Sequence, residues 1–126
     1  MNLGGLCVLS GSHQSGIYPV KPAFGAGGVG VDTEPLEADG FYWVGGDYGI
    51  GDALFFHSHV LHKALPNQNS DRIRLSVDYR YQGGSKPITE GSLLPHFNRM
   101  AWDEIYKEWT STEYQYYWNA FDLNRV

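Results

Sequence analysis

The clearest pattern in the chain runs from Arg72 to Tyr81. Ile73, Leu75, Val77, Tyr79 and Tyr81 alternate with Arg72, Arg74, Ser76, Asp78 and Arg80. A period of two with β-branched and aromatic residues on one side predicts a strand, ended here by Gly83-Gly84. Three shorter apolar runs, Leu6 to Leu9, Phe41 to Val44 and Ala53 to His57, lie between turn-forming residues and predict further strands. Gly51-Asp52 suits a tight turn feeding the third of these. His62 opens another strand after a bend over Ser58 to Leu61, and Pro66-Asn67-Gln68-Asn69-Ser70-Asp71 is a turn cluster. Residues 11 to 40 show neither a strand nor a helix period and predict a long loop, of a length usually reserved for a lid or a partly disordered segment.

The pattern changes after His96. Met100, Trp102, Ile105, Tyr106 and Trp109 recur at helical spacing. Asp103 and Glu104 near the start of this segment complement a helix dipole. Thr110-Ser111-Thr112 breaks the pattern, and Glu113 to Phe121 predicts a second short helix. Thirteen of the 16 glycines precede Asp52, whereas nine of the 19 aromatic residues follow His96. The expectation is a mainly β single domain over 1–126, β-rich over 1–82, with a helical cap over 96–126. A chain of 126 residues with 42% apolar content is long enough for one core.

A net charge of −5 with no basic run argues against nucleic acid as a partner. No apolar run approaches a membrane span, and the first residues lack the pattern of a signal peptide. The single cysteine, Cys7, sits among Leu6, Val8 and Leu9 and reads as a buried, inert thiol. These features point to a cytoplasmic protein.

His57, His59 and His62 fall within six residues and suggest a zinc site. In one continuous strand, however, His57 and His59 share a face and His62 points to the other. A better division puts His57 at the end of one strand and His62 at the start of the next. Arg74 and Ser76, two apart, share a strand face. Arginine presents a forked donor pair to a carboxylate, and a serine hydroxyl can donate to the same group. The pair therefore suits a carboxylate ligand. The same positions also fit the solvent face of a half-buried sheet, with Arg72, Arg74 and Arg80 as surface charges.

Taken in order, Gly4-Gly5-Leu6 to Gly11-Ser12-His13, Gly51-Asp52 with Phe55-Phe56, His62 with Pro66-Asn67, Arg74 and Tyr81 resemble the phytanoyl-CoA dioxygenase family. The resemblance covers most of residues 4 to 82. It implies a double-stranded β-helix (jelly-roll, cupin-like) and a non-haem Fe(II) oxygenase that uses 2-oxoglutarate and O₂ on a small-molecule substrate. It also implies a facial triad of His-x-Asp and a distal histidine. By position, His62 matches the distal metal ligand and Arg74 the 2-oxoglutarate arginine, with Arg72 as the competing alignment and Ser76 supporting Arg74. Gly11-Ser12-His13 resembles the family's Gly-Ser-His turn, with His13 read as a loop hydrogen-bonder and not a ligand. The family's His-x-Asp lies some tens of residues before the Gly-Gly-Leu segment, and only three residues precede Gly4 here. No His-x-Asp or His-x-Glu occurs in the chain. The expectation is the C-terminal portion of such an oxygenase, with no catalytic residue of its own and inactive alone. Two alternatives stand beside it. One is a non-catalytic cupin-like binding module that self-associates through exposed strand edges. The other is a small metalloprotein using His57, His59 and His62.

Overall fold

Leu6–Leu9 forms strand β1, the centre of a three-stranded antiparallel sheet. On one side Val8 pairs with Val44 of β4 (Trp43–Gly45), and on the other with His62 of β5 (His62–Ala64). The computed structural model describes residues 2–25 and 28–126. They divide into two compact units, Met1–Ser76 and Val77–Val126.

Within the first unit, alternation along β1 assigns the two sheet faces. Cys7 and Leu9 are buried, and their register places Lys63 and Trp43 on the same face. The Lys63 ammonium sits 3.9 Å from the Trp43 ring centroid and closes this face with a cation–π contact. Leu6, Val8, Val44, Ala64 and His62 share the opposite face, on which Val44 and His62 are exposed. The ladder continues beyond β1, with Leu9 donating to the Leu61 carbonyl, Ser10 to Tyr42 and Leu65 to Gly5. Cys7 is buried as expected, and its Sγ donates to the Lys63 carbonyl.

Residues 11 to 40 carry more structure than their composition predicts. A 3-10 turn spans Ser12–Ser15, β2 (Lys21–Pro22) pairs antiparallel with β3 (Val29–Gly30), and α1 spans Glu34–Ala38. The short helix is held by side chains. Thr33 Oγ1 and Trp43 Nε1 both donate to the Glu37 carboxylate, at 2.8 and 3.0 Å. The Trp43 bond, followed by the Thr33 bond, holds the Glu37 carboxyl below its ordinary range. Gly40, at φ 94°, supplies the left-handed turn after the helix.

Two predicted strands do not form. Among the described residues nothing pairs with residues 53–57, and Asp52 closes a tight turn, its Oδ2 accepting from the Gly49 amide at 2.8 Å. Residues 72–81 also join no sheet, although Ile73, Leu75, Val77, Tyr79 and Tyr81 are 72–86% exposed. The alternation is genuine, but a strand is completed only by hydrogen bonds to a neighbour, and among the described residues none pairs with this segment. The preceding turn cluster forms as predicted. Asn67 Oδ1 accepts from the Asn69 amide at 2.8 Å, and Asn69 Oδ1 from the Asp71 amide at 3.3 Å.

In the second unit, α2 covers only Trp102–Tyr106, shorter than the helical spacing predicts, and Glu104 caps it by accepting from the Ala101 amide. The expected second helix is a 3-10 turn, Tyr117–Ala120. Its entry residue Tyr116 adopts φ 49°, which interrupts helical continuity. Trp102 stacks on Tyr106 at 5.3 Å and tilts against Trp118 at 5.1 Å, while Tyr106 meets Tyr116 edge-on. Aromatic pairs at these separations supply specific packing beyond buried area. The chain is thus mostly non-helical, with small antiparallel sheets and few, short helices. Among the described residues, no helix is long and apolar enough to cross a membrane.

Candidate functional site

His62 begins β5 because the chain just before it is pinned to the end of β1. Ser12 is fully buried, and its Oγ accepts from the Leu61 amide at 2.9 Å. The Leu61 carbonyl in turn accepts from the Leu9 amide at 2.8 Å. Both backbone groups of Leu61 are therefore fixed, and the register of His62 against Val8 follows. Sequence reasoning missed Ser12. Its signal is the Gly-Ser-His turn.

The His62 ring is oriented by its own backbone. Its Nδ1 lies 3.0 Å from the Val60 carbonyl, which can only accept, so Nδ1 carries the proton. In the neutral ring Nε2 then keeps its lone pair, the state a metal ligand needs. The Phe56 ring lies 5.0 Å away and flanks the imidazole.

The other histidines group differently. His57 Nδ1 accepts from the His59 amide at 3.1 Å, and the two rings meet edge-on at 4.9 Å. The His13 ring lies 5.7 Å from that of His57. In neutral His57 this bond leaves the proton on Nε2, the reverse of His62. Among the described residues, no group of three His, Cys, Asp or Glu side chains is arranged to hold a metal ion. The described residues therefore do not fit a complete iron centre, although His62 has the chemistry of one ligand.

Three of the sequence motifs meet at Arg74. This residue is half-buried, and its Nε donates to the Gly4 carbonyl at 2.5 Å. Gly4 adopts φ +72° and lies against the backbone of Leu65, Pro66 and Asn67, where a Cβ would strike the Leu65 carbonyl oxygen. The Gly-Gly-Leu segment, the Pro-Asn turn and Arg74 thus form one cluster. With Nε committed to Gly4, the two terminal guanidinium nitrogens form the pair that would meet a carboxylate end-on. Arg72 is exposed and lies 4.0 Å from Asp71, and its carbonyl accepts from Asn67 Nδ2 at 2.7 Å. Ser76 is exposed, and its side chain makes no hydrogen bond to Arg74 among the described residues. In the second unit, Asp78, Arg80 and His96 line a separate shallow cleft of about 270 Å³.

No curated protein and no solved structure matches the chain. The family model described as phytanoyl-CoA dioxygenase matches residues 2–76, the stretch holding β1, Ser12, His62 and Arg74. That match covers more than half of the 126 residues, and the chain belongs to the phytanoyl-CoA dioxygenase family.

Proposed function

We propose that this chain carries the distal half of an Fe(II)- and 2-oxoglutarate-dependent oxygenase site, on part of a double-stranded β-helix. His62 is the distal metal ligand, and Arg74 binds the far carboxylate of 2-oxoglutarate. The observation that carries this reading is the His62–Val60 hydrogen bond, which leaves Nε2 available beside the sheet face of Leu6, Val8 and Val44. The His-x-Asp half of the triad is supplied from outside these 126 residues, so the chain alone neither holds iron tightly nor hydroxylates a substrate. Arg74 is preferred to Arg72 because its half-buried guanidinium is anchored at Gly4, and a pre-ordered fork loses less freedom on binding.

The test is a 2-oxoglutarate titration of the chain followed by NMR. The reading predicts weak binding that Arg74→Ala abolishes and Arg72→Ala leaves in place. Equal binding by Arg74→Ala and the parent chain would overturn the arginine assignment. A second reading, a non-catalytic cupin-like interaction module, draws on the sheet itself. Among the described residues its outer strands β4 and β5 each have a partner on one side only, and Val44 and His62 on its face are exposed. Under that reading 2-oxoglutarate would not bind at any concentration, and a partner protein would.

A further inference from the structure

The segment after the Pro-Asn turn has the alternation of a strand and, among the described residues, no ladder. Ile73, Leu75 and Val77 are 77%, 86% and 72% exposed. Exposed apolar side chains on an unpaired segment of this pattern are a template for pairing with another chain. The sequence carries its own complement. We propose that residues 72–78 of two copies of this chain pair antiparallel, with Leu75 on the two-fold axis.

Charge selects this register. Centring the pair on Leu75 places Arg72 opposite Asp78 twice, Arg74 opposite Ser76 twice, and Ile73 opposite Val77 twice. Ile73, Leu75 and Val77 of both copies then share one face. Centring on Ser76 sets Arg72 against Arg80, and centring on Val77 sets Arg74 against Arg80. Centring on Arg74 or Asp78 sets that charge against itself. An in-register parallel pair would do the same with every arginine. Like charges directly opposite destabilise a strand pair, whereas opposite charges and β-branched pairs support it. Of the antiparallel registers centred between Arg74 and Asp78, Leu75 alone opposes no like charges. Arg72 is available for the exchange, since its contact with Asp71 is a 4.0 Å pair between exposed side chains. The inference is independent of the iron-site reading, because Arg72 and Asp78 carry it and His62 does not.

The test combines sedimentation velocity of the full chain with site-directed cross-linking. In this register the two Leu75 Cα atoms lie about 4.5–5.5 Å apart, within disulfide range. Leu75→Cys is therefore expected to give a covalent dimer on mild oxidation, while Val77→Cys, facing Ile73, stays largely uncoupled. Asp78→Arg should weaken association at least tenfold, and Arg72→Asp combined with Asp78→Arg should restore it. A chain that stays monomeric at every concentration would overturn the proposal. So would equal cross-linking at the two positions, or failure of the charge exchange to restore a dimer. Should the double variant lose its circular dichroism signature, the Leu75 and Val77 comparison decides alone.

Discussion

Replacing Ser12 with alanine removes one oxygen from the centre of the first unit. Ser12 is 0% exposed, and its Oγ is the acceptor for the Leu61 amide at 2.9 Å. Alanine leaves that amide without its partner in a site that water reaches poorly. An orphaned buried donor costs about 1–3 kcal/mol, equivalent to a roughly 5- to 150-fold change in an opening equilibrium. The other backbone hydrogen bond at Leu61 runs from the Leu9 amide to its carbonyl. Amide hydrogen exchange followed by NMR reads this directly. The Leu61 amide of Ser12→Ala should exchange about 5- to 150-fold faster than in the parent chain. The Ile88 amide, bonded to the Asn124 carbonyl in the other unit, serves as the internal control. If Leu61 accelerates no more than Ile88, the Ser12 bond does not fix the chain ahead of His62.

Gly4→Ala should lower the urea midpoint, because φ +72° and the Leu65 carbonyl both oppose a Cβ, at a cost of at least about 1 kcal/mol. Gly46→Ala, with open space around it, should shift that midpoint far less. The Tyr116 hydroxyl is pushed up to about 12, first by donating to the Asp103 carboxylate, then by desolvation and by the Asp103 charge. The neutral phenol is the favoured form. Its contribution to stability is therefore fully present below the ordinary tyrosine value of 10.0 and is lost as pH rises through about 12. Asp103→Asn should return one tyrosine towards 10.0 in a tyrosinate absorbance titration, and an unchanged curve would refute the assigned cause. Cys7, buried in β1, should react with a thiol reagent only at the rate of unfolding, and rapid labelling under native conditions would contradict its placement.

The parts of the fold that could be read from sequence are those set by local chemistry. Leu6 to Leu9 is a four-residue apolar run between a glycine pair and a Ser-Gly-Ser turn, and it forms β1 with the expected bounds. The Asn67 to Asp71 turn follows from asparagine side chains that bond two residues ahead. His57 and His59 do lie together and apart from the start of β5 at His62, but strand parity is not the reason, since residues 53–57 form no strand. Partners distant in sequence were not legible. The alternation over residues 72–81 encodes a pairing surface but not the presence of a neighbour. The spacing of Trp102, Ile105, Tyr106 and Trp109 fits a long helix as well as it fits one short helix and a turn. Arg72 and Arg74 lie on one strand face in any sequence reading, and the Gly4 carbonyl, 70 residues away from Arg74, is what distinguishes them. Ser12 escaped notice for a similar reason. A serine in a glycine turn reads as solvated until the burial of its oxygen against Leu61 is known.

The central claim is that these 126 residues hold only the His62 and Arg74 half of an oxygenase site. The most direct measurement is 2-oxoglutarate-dependent O₂ consumption by the purified chain under saturating Fe(II) and ascorbate, with His62→Ala measured alongside. The account predicts no consumption above the protein-free rate for either protein. Sustained consumption by the parent chain that His62→Ala abolishes would contradict it, because the chain would then complete an iron site by itself.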